Sequence, residues 1–357
     1  PDISSAASDV YKRQLYREAR QAGVTFIKFN REKPSIEQLE KGNAAITFKD
    51  EITGHHFRLT PDLTVVDEIA AVSEITEKVA GRLDIHKDHN GFAQTDNVHR
   101  LPIQTNRRGI LAAGPSRAVM DLDQQAVDVG NVSLACAMHI EAEASKETAY
   151  AEIDPGQCVR CLTCFRLCPF GAVVVESRVR VAANLCEGCG ICAAECPKTA
   201  IDMQHLAVGT PMEQMRRTSR DEGADEFEPT VFAFCCHRSA VQAASLAGCL
   251  GHSLPRGLQI IQVPCAGAVS TGDLLNAFQN RADGVLVMTC HSGNCHAEEG
   301  NQHARRRAEH TQNALDSVGL AKERLMQATL ASNMSAEFSE TVTGFAEKLK
   351  QMGPWGA

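Results

Sequence analysis

Two copies of one cysteine spacing dominate the chemistry written in this chain. Cys158-x2-Cys161-x2-Cys164-x3-Cys168-Pro169 recurs as Cys186-x2-Cys189-x2-Cys192-x3-Cys196-Pro197. Three thiolates two residues apart wrap three corners of a cubane, and the fourth, carried off by its proline, reaches the other copy's cluster. The spacing assigns Cys158, Cys161, Cys164 and Cys196 to one [4Fe–4S] cluster and Cys186, Cys189, Cys192 and Cys168 to a second. A disulfide framework does not repeat in this order; paired zinc sites are the remaining alternative. Gly188 and Gly190 let backbone N–H groups approach the sulfurs, and Ile191, Leu162 and Phe165 are expected to keep water off them. No paired carboxylates, Ser/His/Asp set or Cys–His dyad stands among these residues, so the chemistry is passage of single electrons.

The chain has 15 cysteines in all. Cys235, Cys236, Cys265, Cys290 and Cys295 stand just past apolar strand-like segments. Several thiols converging on one sheet edge from separate loops suit a [2Fe–2S] cluster, with zinc as the alternative. Cys136 and Cys249 lie in helix-like apolar settings and read as core residues.

The elements that must carry these ligands fall into parts, which make an α/β multidomain chain. Residues 149–204 form a small α+β module with two clusters, each cysteine run followed by a strand, Ala172–Val175 and Ala200–Met203. Residues 205–229 read as a linker, helical over Pro211–Arg220 and then an acidic, solvated tether at Asp221–Glu228. Residues 230–352 alternate strand and helix. Strands are expected at Val231–Phe234, Leu258–Val263, Gly284–Met288 and Ala328–Ala331, and helices at Ala240–Ala247, Thr271–Ala282, Asn301–Leu320 and Ala336–Gln351. That cadence predicts a parallel sheet covered on both faces, with ligands at its carboxyl edge. The run Arg305–Arg307 reads as one face of a solvated helix.

Residues 15–143 read as mixed α/β. Helices are expected at Leu15–Ala22 and Ser73–Gly81 and from about Leu122. Strands are expected at Val24–Phe29, Ala45–Phe48, His56–Leu59, Asp62–Val66 and Gly109–Ala113, with a hairpin turn at Glu51–Gly54. Gly188-x-Gly190-x-x-Ala193 matches a dinucleotide fingerprint only in letters, because it lies among cysteines without a strand–helix context. Residues 1–14, which include Ser4–Gln14, resemble the in-frame translation of a sequencing adapter. They are left out of the fold, and the chain is expected to be truncated there.

Composition excludes several classes. A net charge of −8, from 36 basic and 44 acidic residues, argues against general nucleic-acid binding. No apolar run approaches the roughly 18 residues of a membrane span, so direct membrane insertion is not expected.

Residues 105–136 resemble the second flavin-contacting motif of thioredoxin-reductase-like flavoproteins, through Thr105, Gly109, Ile110, Ala113 and Gly114. The resemblance implies that residues 15–143 are the C-terminal part of an FAD-binding domain. Pro115 replaces the usual Asp, and Gln124 and Gln125 open the helix that would face the flavin. Residues 230–352 resemble the delta-subunit family of methyl-viologen-reducing hydrogenase, through Phe234-Cys235-Cys236, Val263–Gly267, Ala282–Val287 and Cys290–His296. Here Ser239 replaces a third cysteine of that family. The ligand set is then Cys235 or Cys236 with Cys265, Cys290 and Cys295; His296 is an alternative ligand in Rieske fashion, and His237 and His291 are hydrogen-bonding neighbours.

In that order the parts resemble fusions of a heterodisulfide reductase A-type flavoprotein with a hydrogenase delta-type domain. Among these, the B-type flavoproteins of quinone-interacting membrane-bound oxidoreductase are similar in Asn106–Ile110, Ala113–Arg117 and Ser239. The resemblance implies an oxidoreductase subunit of a cytoplasmic redox complex, held at the membrane only through its partners. Those partners would be a quinone-reactive membrane subunit and a soluble reductase, adenylylsulfate reductase, in dissimilatory sulfur metabolism. The alternative couples a hydrogenase or formate dehydrogenase to heterodisulfide or ferredoxin reduction.

Overall fold

The computed structural model describes residues 14–27, 33–39, 44–50, 53–65, 71–96, 102–143, 149–217 and 227–354. The adapter-like residues 1–13 and the acidic stretch 218–226 lie outside them. The chain divides into two compact units, residues 1–70 and 71–357.

In the first unit, residues 14–21 form helix α1. Strands β1 (Ser35–Gln38), β2 (Ala44–Lys49) and β3 (His56–Leu59) make an antiparallel meander. Phe48 and Phe57 sit opposite each other in the register and stack at 5.6 Å, the cross-strand pairing that holds such a small sheet. The expected strands at Val24–Phe29 and Asp62–Val66 are irregular over their described residues, 24–27 and 62–65. Residues 51–52 of the expected turn are outside the described residues.

The second unit begins with α2 (Glu74–Leu83), capped by the Ser73 hydroxyl on the Thr76 N–H at 3.2 Å. The strand expected at Gly109–Ala113 is reduced to a single bridge between Gln104 and Leu111. Two features explain the loss. The buried Thr105 hydroxyl bonds the carbonyl of Ile110 at 2.8 Å, and Gly109 sits at φ +75°, so the backbone turns where a strand would run straight. A short 3-10 turn over Gly114–Ser116 follows, and then α3 (Leu122–Glu143). Among the described residues 71–143 no parallel sheet forms.

The cysteine repeat folds as a two-fold motif. Strand β4 (Tyr150–Ile153) pairs antiparallel with β7 (Ile201–Gln204), and β5 (Val173–Val175) with β6 (Val179–Val181). The short helices α4 (Thr163–Leu167) and α5 (Ile191–Ala194) occupy matching places and carry Cys164 and Cys192. Equivalent backbone positions take left-handed conformations in both copies: Arg160 and Leu162 in the first, Gly188 and Gly190 in the second. Glycine is required only in the second copy. A Cβ on Gly188 would lie 2.7 Å from the Ala149 carbonyl oxygen, and one on Gly190 2.7 Å from Ala268 Cβ.

Helix α6 (Pro211–Arg216) forms within the stretch expected to be helical, Pro211–Arg220. It is closed by a Thr210/Glu213 capping box, buries Met215 and exchanges side-chain hydrogen bonds between Gln214 and the Gln262 backbone. The last part is the expected parallel sheet. Strands β8 (Val231–Cys236), β9 (Leu258–Val263), β10 (Gly284–Thr289) and β11 (Leu325–Thr329) lie in the order β11-β10-β8-β9. Helices α7 (Ala240–Cys249), α8 (Thr271–Gln279), α9 (Gly300–Ser317) and α10 (Ser335–Met352) cover it. Val231, Ala233 and Cys235 face α7 and α10, whereas Phe232, Phe234 and Cys236 pack in the core on the side of α8 and α9. Strand β11 starts earlier than expected because buried Leu325 pairs with Val285; Leu330 and Ala331 are buried beyond its end.

Candidate metal centres

Cys158, Cys161, Cys164 and Cys196 line one cavity between β6, α4 and the start of β7. Cys196 is the fourth cysteine of the second copy, so the crossed set meets in space. In the other set, Cys189 and Cys192 each feel the charges of Cys168 and Cys186. The two copies use the same backbone device to aim the crossing thiol. The Ala172 N–H donates to Cys168 Sγ at 3.4 Å, and the Ala200 N–H to Cys196 Sγ at 3.3 Å. Such N–H···S bonds stabilise electron-rich sulfur.

Burial pushes the Cys189 thiol up to about 12 and raises Cys164 and Cys192 as well, while the Thr163 hydroxyl beside the exposed Cys161 holds that thiol down. Ile191 is buried and Leu162 half-buried, as expected of groups that exclude water. Phe165, 51% exposed, does not shield the sulfurs.

The third set lies at the carboxyl edge of the parallel sheet. Strands β8 and β10 flank the point where strand order reverses, and Cys236 ends β8 while Cys290 follows β10. Cys236, Cys265, Cys290 and Cys295 line one cavity, joined by Cys189 of the preceding module. Crowded there, the thiols shift one another. Cys236 is drawn down by Cys290, and Cys295 by Cys265 and Cys290, whose own thiols are pushed up in return. Gly300 makes room for them: a Cβ there would stand 2.5 Å from Cys265 Sγ and 3.3 Å from Cys295 Sγ.

Cys235 is not part of this set. It points to the opposite face of the sheet, into the core with α7 and α10, with its sulfur 3.8 Å from Met288 Sδ. Ser239 is buried at the start of α7, where its N–H donates to the Cys236 carbonyl at 3.2 Å. His237 bonds Gln262 at 3.0 Å and His291 meets Met334 Sδ at 3.5 Å. His296 turns to carboxylates: Asp96 at 2.6 Å and Glu187 at 3.5 Å. Cys136 and Cys249, expected in the core, are exposed on the outer sides of α3 and α7.

A [4Fe–4S] or [2Fe–2S] centre needs several thiolates around a space wider than one ion. These sets supply that chemistry, and bound iron would neutralise thiolates that otherwise repel one another in a buried site. The residues expected to hold flavin make the following contacts. The Gly114 N–H, which would face a ligand at the strand-to-helix turn, donates to Asp128 Oδ2 at 3.0 Å, and Arg117 clamps the same buried carboxylate. Pro115 lies in the 3-10 turn and Ala113 just before it. Gln124 and Gln125 bond Asp121 and the Met120 carbonyl at the start of α3. Thr105 and Ile110 bond within their own loop, which turns at Gly109.

That loop instead docks on the cysteine module: Arg107 donates to the Phe170 carbonyl at 3.2 Å and Arg108 to the Cys186 carbonyl at 3.1 Å. Glu195, next to Cys196, pairs with His303 and Arg307 of α9, each at 3.3 Å. Arg307 is therefore buried, contrary to the expectation of a solvated arginine run. Of the charged residues that tie the modules together, Glu187, Glu195 and Arg238 were not singled out from sequence; their one signal is position, since each stands within two residues of a cysteine ligand candidate.

Residues 231–353 match the family model described as methyl-viologen-reducing hydrogenase, delta subunit, and residues 150–197 match that of a 4Fe-4S dicluster domain. Over 99% of its length the chain is 25% identical to the A-type component of the Ferredoxin:CoB-CoM heterodisulfide reductase of Methanosarcina mazei, of which it spans 44%. The corresponding component of the Ferredoxin/F(420)H(2)-dependent CoB-CoM heterodisulfide reductase of Methanosarcina acetivorans gives the same identity and coverage. The D-type iron-sulfur component of the F420-non-reducing hydrogenase of Archaeoglobus profundus is 34% identical over 37% of this chain and 96% of its own length.

Proposed function

Because the chain belongs, through residues 231–353, to the methyl-viologen-reducing hydrogenase delta-subunit family, we propose that this oxidoreductase subunit is an electron relay within a larger redox complex. One observation carries the reading: three thiol sets follow one another in contact. Thiols of the first and second sets pack around one apolar cluster in which Cys164 and Cys186 are buried, and Cys189 lines the cavity of the third. Two [4Fe–4S] clusters and one [2Fe–2S] cluster, once bound, would supply one-electron transfer without bond making.

The protein's own part is to hold those groups in a row and keep water out. Cys158, Cys161, Cys164 and Cys196 hold the first, and Cys168, Cys186, Cys189 and Cys192 the second. Cys236, Cys265, Cys290 and Cys295 hold the third. Ile191, Phe170 and Ala297 seal the junction between second and third with apolar side chains. No step is assigned to a flavin in this chain, because the Gly114 N–H at the strand-to-helix turn is taken by Asp128.

The partners we propose are a quinone-reactive membrane subunit and adenylylsulfate reductase, in dissimilatory sulfur metabolism; Ser239 and the Asn106–Ile110 stretch support that reading. The similarity to heterodisulfide reductase and hydrogenase components favours a second assignment, to a heterodisulfide reductase complex fed by a hydrogenase. No helix among the described residues is long and apolar enough to cross a membrane. Affinity purification from native membranes tests the choice. Co-purification of a quinone-reactive subunit is expected, and recovery of hydrogenase in its place would contradict it.

A further inference from the structure

Four charged side chains from three modules meet beside the third thiol set. Asp96 comes from the loop after α2, Glu187 from between Cys186 and Gly188, and Arg238 and His296 from the loops after β8 and β10. All four line the cavity that Cys236, Cys265, Cys290 and Cys295 share. The Asp96 side chain is 3% exposed. One of its oxygens accepts from His296 Nδ1 at 2.6 Å, and the other accepts from Arg238 Nη1. The far nitrogen of His296 faces Glu187 Oε2 at 3.5 Å, and Glu187 Oε1 accepts the Arg108 N–H at 2.9 Å.

The placement is specific. Arg238 follows Cys236 by two residues and His296 follows Cys295 by one, so a single carboxylate holds the loops that carry two of the four thiols. It also sets a fixed negative charge at the wall of their cavity. Side chains that bond the neighbours of a metal ligand orient the ligand and tune the centre. A buried charge acts there with little screening.

We propose that Asp96 is a positioning residue for the third centre, aligning the Cys236 and Cys295 loops through Arg238 and His296 and lowering that centre's reduction potential by its charge. This rests on the reading of the four-thiol cavity as a redox centre. Asp96 accordingly makes the module before the cysteine repeat part of the relay's machinery, even where that module holds no cofactor of its own.

The test is a potentiometric titration of anaerobically purified full chain, followed by electron paramagnetic resonance, for wild type, Asp96→Asn and Asp96→Glu. Asn keeps the shape and one acceptor but removes the charge. The third centre should shift to a more positive potential in Asp96→Asn and return toward wild type in Asp96→Glu, with the centre of Cys158, Cys161, Cys164 and Cys196 unmoved. Loss of the third spectrum in Asp96→Asn with recovery in Asp96→Glu also supports the positioning role. A third spectrum whose potential Asp96→Asn leaves unchanged overturns the proposal alone. Loss in both variants makes Asp96 a packing residue and overturns it too. A wild-type chain with only two spectra contradicts the reading of the cavity and takes the Asp96 role with it.

Discussion

Cys235 and Cys236 are adjacent, yet the pleat of β8 sends them to opposite sides of the sheet. Only one can serve the cavity at the carboxyl edge, and burial raises the other because nothing there stabilises its thiolate. Cys236→Ser should abolish the third spectrum while the two others persist. Cys235→Ser should leave all three, which iron content and low-temperature spectra would check. The alternation itself was visible in the sequence, but every residue of β8 is buried. An apolar run without a polar face does not reveal which side holds the site.

Asp128 offers a second test at this scale. Its carboxyl is held below the ordinary carboxylate range by the Arg117 hydrogen bond, aided by the Gly114 N–H and opposed by burial. A depressed folded value means that the contribution to stability is present above the unfolded value of about 3.9 and is lost as pH falls through the lower folded one. The protection of the Gly114 and Arg117 amides against exchange should therefore fall in that acid window. Asp128→Asn should remove the dependence.

At the scale of elements, the sheet and helices of residues 230–352 were legible because strand and helix periods alternate there without interruption. The repeat was legible for a different reason, since cluster ligation fixes cysteine spacing more tightly than packing fixes any apolar pattern. The strand at Gly109–Ala113 was misread because Thr105, a single side chain, captures the carbonyls that a ladder would use. Gly300 is an element-scale requirement that its sequence context hides: α9 must start within van der Waals reach of two thiols. Gly300→Ala should displace Cys265 or the start of α9 and lower the iron bound at the third set. The two other centres should be untouched, which metal analysis alongside spectral quantitation would show.

At the scale of the whole molecule, the described modules of residues 71–357 are tied by charge as well as by apolar contact. Arg107 and Arg108 grip the cysteine module from one side, and His303 and Arg307 grip Glu195 from the other. These ties were not legible in sequence because their partners lie many residues apart and pair only once the modules dock. Arg307 also donates to the carbonyls of Val269 and Gly267. Arg307→Ala leaves those buried acceptors and Glu195 without it, and should cost about 2–3 kcal/mol, below the range for a fully buried pair because Glu195 is partly exposed. Urea denaturation would register this as a lower midpoint with an unchanged slope.

The central claim is that three thiol sets form one iron–sulfur relay. The most direct measurement is iron and acid-labile sulfide per chain in anaerobically purified protein, joined to spin quantitation on stepwise reduction. The expected result is brown protein with about ten iron and matching sulfide, in two [4Fe–4S] centres and one [2Fe–2S] centre. Colourless protein carrying zinc in place of iron would contradict it.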